Sequence, residues 1–172
     1  YLANVQLISS TIIDQLCNDG SIEVTARNKA EAESDLTAVM EEFLRRDRKI
    51  MRETKDTMSA FEIPYDQFSD QRSKLCKKKG HPTGKDIEKY LARQFIESFM
   101  MSNFVDEVYA SDEELYKKIL PVLRSFHVDE NQIREEAKTK IANFVEGTVE
   151  YEMALRQAIL EVKRKKGLLK TA

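Results

Sequence analysis

The chain has 172 residues, of which 41% are hydrophobic and 34% charged, with five Gly, three Pro and no Trp. A charged share well above the usual quarter or so suits thin, exposed helices rather than a thick mixed core, and so few turn formers argue against an all-β fold. A net charge of −2 favours neither nucleic acid nor an acidic membrane surface in bulk, and two cysteines, Cys17 and Cys76, are too few for a disulfide framework.

In chain order, Val5, Ile8, Ile12, Ile13, Leu16 and Cys17 follow helical spacing, and Gly20 closes that helix as a left-handed cap. The stretch SIEVT at 21–25 is β-prone, but with no convincing second strand it reads as an extended connector. Helical period resumes from Ala30 through Leu36, Val39, Met40, Phe43, Ile50, Met58 and Phe61, with RRDRK at 45–49 placed at a bend or exposed junction. Pro64 ends this helix. A third helix carries Tyr65, Phe68, Leu75 and Cys76 before Lys77, Lys78, Lys79 and Gly80.

GHPTGK at 80–85 is the clearest linker, with two Gly and one Pro in six residues. Asp86 is expected to cap the next helix, which turns Ile87, Tyr90, Leu91, Phe95, Ile96 and Phe99 to one side. Ser111 and Glu114 have capping-box spacing for the helix of Leu115, Ile119, Val122 and Phe126, which Pro121 should kink. A break at HVDEN, 127–131, precedes a helix capped by Asp129 that bears Ile133, Ala137, Ile141 and Phe144. Gly147 interrupts it, and a last helix runs from near Thr148 to Lys166 with Gly167 as its cap.

The halves resemble each other at an ungapped offset of 83 residues: Ile13 meets Ile96, Leu36 meets Ile119, Phe43 meets Phe126, Ile50 meets Ile133 and Phe61 meets Phe144. Charge repeats too. Residues 1–44 hold two basic and eight acidic side chains, 45–89 thirteen and eight, 90–130 four and eight, and 131–172 nine and six. The expectation is an all-α protein of two similar helical units from an internal duplication, packed as small bundles. The first unit spans 1–80, a linker 81–86, and the second unit 87–172.

KLCKKKG at 74–80 and EVKRKKG at 161–167 look alike. Lysines in a last helical turn complement the macrodipole and glycine lets the chain leave it, so helix ending alone explains both. The same residues, Lys77, Lys78, Lys79, Lys163, Arg164, Lys165 and Lys166, together with Arg45, Arg46, Arg48 and Lys49, are nevertheless the candidate contacts for an anionic partner. Phosphate binding ordinarily wants a longer basic stripe with stacking aromatics. Phe99, Met100, Met101 and Phe104 form the candidate apolar partner face, since Met-rich surfaces adapt to partners. Cys76 and His81 have metal-like spacing, but two ligands make no zinc site. His127 reads as a partly packed core residue. No Gly-rich phosphate loop, nucleophile elbow or HExxH occurs, so neither a catalytic residue nor a cofactor or metal is assigned.

LISSTIIDQLCNDGSIEV at 7–24, AVMEEFLRRDRKIMRETKDTM at 38–58 and IPYDQFSDQRSKLCKKKG at 63–80 together resemble the bacterial domain-of-unknown-function 507 family. FVDEVYASDEELYKKIL onward is similar to the continuation of its longer members. The resemblance implies a cytoplasmic bacterial protein and brings neither an activity nor catalytic residues. Free thiols at Cys17 and Cys76 suit a reducing compartment, and no apolar run nears the roughly 20 residues of a membrane span. The start, YLANVQLISS, reads as neither a signal peptide nor an initiator Met. The functional expectation is a non-enzymatic interaction or adaptor protein whose partner is another protein. The alternative is RNA or DNA binding through the basic helix ends.

Overall fold

The computed structural model describes residues 2, 4–126 and 130–166, with Glu130 by its backbone only. Among the described residues it is 76% helical, with seven α-helices. His127, Asp129 and Gly167 lie outside the described residues. The all-α expectation therefore holds.

The apolar spacing of α1 (Val5–Asn18) buries Ile8, Ile12, Ile13 and Leu16. Gly20, at φ +77°, ends the helix and turns the chain into β1 (Ile22–Glu23). The connector does find a partner. β2 (Glu107–Val108) pairs with it antiparallel, Ile22 opposite Val108. Two-residue strands carry too little pattern to be read from sequence. The pairing is extended by the Tyr109 N–H donating to the Ser21 carbonyl at 2.9 Å and the Thr25 N–H donating to Asp106 at 2.8 Å.

α2 (Lys29–Ala60) runs unbroken for 32 residues, about 48 Å at 1.5 Å per residue. RRDRK is therefore helix, not a bend. Its charges occupy exposed or half-exposed positions while Phe43 and Ile50, two turns apart, carry the buried stripe past it. Pro64 caps a short 3-10 turn (Tyr65–Gln67), after which α3 (Phe68–Lys79) packs back on α2. α4 (Asp86–Met101) starts with Asp86 as its first helical residue. Lys85 holds the cap position without a side-chain bond, which corrects the expected capping role. Ser111 does cap α5 (Asp112–Ser125), its hydroxyl accepting from the Glu114 N–H at 3.3 Å, and the helix continues through Pro121.

Two compact units result: Val5–Ser125, and Phe126–Ala172 together with the first four residues. The division falls at 125/126 rather than in the 81–86 linker. The reason is packing: α1 lies on α2 and α5, and α4 lies on α2 and α5, so helices from both sides of the linker share one core. Leu36, Met40, Leu91, Phe95, Leu115 and Ile119 are at its centre. The second unit is a hairpin of α6 (Glu130–Lys140) and α7 (Val149–Lys165), held by Ile133, Ala137, Ile141, Tyr151, Leu155, Ala158 and Val162. Thr148 caps α7, accepting from the Tyr151 N–H at 3.2 Å.

At the 83-residue offset α1 falls within α4, and Lys29, the first residue of α2, falls on Asp112, the first of α5. α3 falls within α7. The long α2 matches two separate helices, α5 and α6, and β1 falls two positions short of β2. Ile13, Ile96, Leu36, Ile119, Ile50 and Ile133 are all buried, as their pairing requires. Phe43 is buried while Phe126 is half-buried. Phe61 and Phe144, expected as core, are instead 74% and 47% exposed. Both sit just past a helix end at a hairpin tip, where helical periodicity no longer has a neighbour to bury it.

Candidate functional site

Gly80 adopts φ +63°, so its N–H reaches the Lys77 carbonyl and the next N–H, of His81, reaches the Cys76 carbonyl at 2.9 Å. This two-bond closure is a Schellman ending, and it accounts locally for the KKKG stretch. It also turns His81 inward. The imidazole is only 1% exposed, stacks on Phe43 with centroids 4.8 Å apart and planes 12° from parallel, and places Nε2 3.1 Å from Asp47 Oδ1. Asp47 also accepts from Arg72 Nη2 at 2.7 Å. A partly buried polar network thus pins α2, α3 and the 80–85 connection together. Among the described residues, His81 Nδ1 and Arg72 Nε are buried without a protein hydrogen bond.

Four of the expected anion contacts converge beside His81. Arg45, Arg46 and Lys49 come from α2 and Lys79 from the end of α3, and with Glu42, Ile50 and His81 they line a cleft of about 410 Å³. A second cleft of about 610 Å³ shares His81 and is lined on its far side by Lys89, Tyr90, Arg93 and Glu97 of α4. The Tyr90 hydroxyl accepts from Arg46 at 3.1 Å, linking the walls of the two clefts. Across both, six Lys and Arg side chains face three carboxylates, Glu42, Asp86 and Glu97. A local net of +3 on a chain of net −2 means that charge is segregated onto this surface.

The cations differ in how far they are neutralised. Arg45 donates twice to Glu42, at 2.9 and 2.8 Å. Lys79 bonds Glu53 and holds that half-exposed carboxyl below its ordinary range. Lys89 is only loosely paired with Asp86, at 3.9 Å. Arg46, Lys49 and Arg93 form no ion pair among the described residues.

The other expected contacts do not join this site. Arg48, Lys77 and Lys78 are exposed and line neither cleft. Lys163, Arg164, Lys165 and Lys166 close α7 in the other unit, where Lys166 pairs with Glu136 at 2.9 Å. Lys89, Tyr90, Arg93 and His81 were not among the expected anion contacts. Their signal was Lys89 and Arg93 one turn apart on α4 with Tyr90 beside them.

The expected apolar face splits. Phe99 is 3% exposed, because Leu91, Phe95 and Phe99 recur every four residues along the buried side of α4. Met100, Met101 and Phe104 are exposed, Met101 at 84%. Further exposed apolar residues occur along the two hairpin turns. Phe61 is accompanied by Tyr65, which is exposed and stacks on half-buried Phe68 rather than entering the core. Phe144 is accompanied by Val145, Val149 and Met153.

Cys76 is buried and Cys17 half-buried, and neither is bridged. Burial pushes both thiols above their ordinary pKa, at Cys17 against a backbone hydrogen bond with Val24. Among the described residues no three His, Cys, Asp or Glu side chains are grouped to hold a metal, and no helix is long and apolar enough to cross a membrane.

Fold and surface define an all-α protein in which a helical core carries one cationic double cleft and a separate helical hairpin. Residues 1–168 match the family described as protein of unknown function (DUF507), and the chain belongs to that family. No curated protein matches it.

Proposed function

We propose that this chain is a non-enzymatic binding protein that docks another protein through its exposed hairpin tips. One observation carries the reading: Phe61 and Phe144, equivalent under the 83-residue offset, are both exposed at a turn between two helices. Exposed aromatics that recur with other apolar residues along a turn support a partner contact there. The offset of the helix starts supports an internal duplication as the origin of both tips. The unbridged cysteines support a reducing, cytoplasmic setting, and the bacterial source rests on the family resemblance. The test is affinity capture from a lysate of the source organism, with and without nuclease, using the wild type and a Phe61→Ser, Met153→Ser variant. A protein retained after nuclease and lost with the variant is expected. Capture that nuclease abolishes, or that the variant leaves intact, overturns the reading.

Nucleic-acid binding is the second reading. It is favoured by the convergence of Arg45, Arg46, Lys49 and Lys79 on one cleft, which four basic residues merely scattered along two helices would not produce.

A further inference from the structure

We propose that the double cleft around His81 is the seat of a single nucleic-acid strand, whose successive phosphates lie against Arg46 and Lys49 on one side and Arg93 on the other. This rests on the nucleic-acid reading and assigns it a place and a strand form.

Three observations lead here. First, Arg46, Lys49 and Arg93 form no direct ion pair among the described residues, although Glu42 and Glu53 feel the charges of Arg46 and Lys49, and they are divided between two clefts that share His81. A ligand bearing one phosphate needs one such cleft. A strand with repeated phosphates uses both, and each neutralised phosphate adds counterion release to the affinity. Second, the basic stripe that the sequence lacked is completed in space. α4 supplies Lys89 and Arg93 across from α2, and Tyr90 between them gives the aromatic surface that strand-binding grooves combine with charge. Third, the surface is concave. Clefts of about 410 and 610 Å³ admit a strand or a flipped-out nucleotide, whereas a duplex is convex and would touch only the rims.

The floor of the site is fixed by the network beneath it. His81 is clamped by Phe43 and by Asp47, and Arg46 is oriented by the Tyr90 hydroxyl. Arg46 thus needs little reordering on binding, which lowers the entropic cost at that contact.

The test is fluorescence anisotropy with a labelled oligouridine of about 12 nucleotides, titrated at about 0.05 and 0.15 M salt. It uses the full chain, with circular dichroism to check folding. Lys49→Glu and Arg93→Glu alter exposed or half-exposed side chains, so the fold should survive. Together they should weaken binding about tenfold or more and flatten the dependence of log affinity on log salt by about 1.4, the value for two lost single-strand contacts. Lys163→Glu, Lys165→Glu is the control and should leave affinity unchanged within about twofold. Full affinity in the cleft variant, with loss in the α7 variant, overturns the cleft and leaves the nucleic-acid reading standing. No binding by the wild type at the lower salt overturns both. A serine-phosphorylated peptide that binds as tightly as the oligonucleotide overturns the choice of a strand.

Discussion

Truncating Phe43 to alanine tests the packing beneath the cleft. The ring is buried, lies stacked on His81 and stands 6.3 Å from the ring of Tyr90. Removing a fully buried phenyl group costs about 3–5 kcal/mol. Here the upper half of that range applies, because ring pairing contributes about 0.5–1.5 kcal/mol beyond buried area and His81 loses its face. Phe43→Leu keeps most of the apolar volume and loses the stack, so it should cost about 1–2 kcal/mol. Phe61→Ala, at an exposed tip, should stay within about 0.5 kcal/mol. Urea unfolding followed by far-ultraviolet circular dichroism measures all three. A domain stabilised by about 5–15 kcal/mol would show the Phe43→Ala loss as a large fall in midpoint. A loss below about 1 kcal/mol for Phe43→Ala, or equal losses at Phe43 and Phe61, would refute the packing argument.

Further outcomes follow from particular contacts. Burial tends to raise the Asp19 carboxyl, but hydrogen bonds from Ser21 and Lys118 outweigh it and leave its pKa lowered. Its folded-state advantage is therefore present above the unfolded value of about 3.9 and lost as pH falls through the lower folded value. The melting temperature of Asp19→Asn should lie below that of the wild type at neutral pH and converge with it in acid; parallel curves would contradict this. Cys76, with its thiol pushed up by burial, should react with a thiol reagent at neutral pH far more slowly than the unfolded chain, with half-buried Cys17 intermediate. Equal rates at Cys76 before and after unfolding would show the site to be open. Gly80→Ala meets no atom within 4 Å of the added carbon, so only its left-handed backbone is strained, and the cost should be about 1–2 kcal/mol in the same unfolding assay. Gly80→Asn should cost less, since Asn tolerates that conformation.

Much of the fold was legible because helices write themselves in spacing. α1, α4 and α7 lie where the apolar period places them, and the caps at Gly20 and Ser111 are local chemistry. What failed depended on distance. The paired residues of β1 and β2 are 84 and 86 positions apart and each strand is only two residues long, so neither length nor pattern announces them. RRDRK suggested a bend because its charges are dense, yet charge on the outer face of a helix does not interrupt it. Phe61 and Phe144 fit the period but fall past the last turn that has a neighbour. The cleft was only partly visible. Arg45, Arg46, Lys49 and Lys79 were named from composition, while Arg93, Lys89 and Tyr90 join them through the packing of α4 against α2. His81 was weighed as a weak metal ligand, because its spacing from Cys76 can be read in sequence and its partnership with Asp47 cannot.

The short α3 buries one residue outright, Cys76, whereas its neighbour α2 is anchored along much of its length. Elements with few buried contacts open locally at free energies well below that of global unfolding. Lys79 and the turn that carries His81 thus belong to the helix with least to hold it, and Lys49 and Arg46 to the helix with most. One bank of the cleft is a fixed ruler and the other a leaf held at a few points, Cys76 and the contacts of Arg72 and His81 with α2. A bound ligand that touches both shores would suppress the opening of α3, and its arrival would register as protected amides from Phe68 to Lys79 even where no atom of it lies nearby.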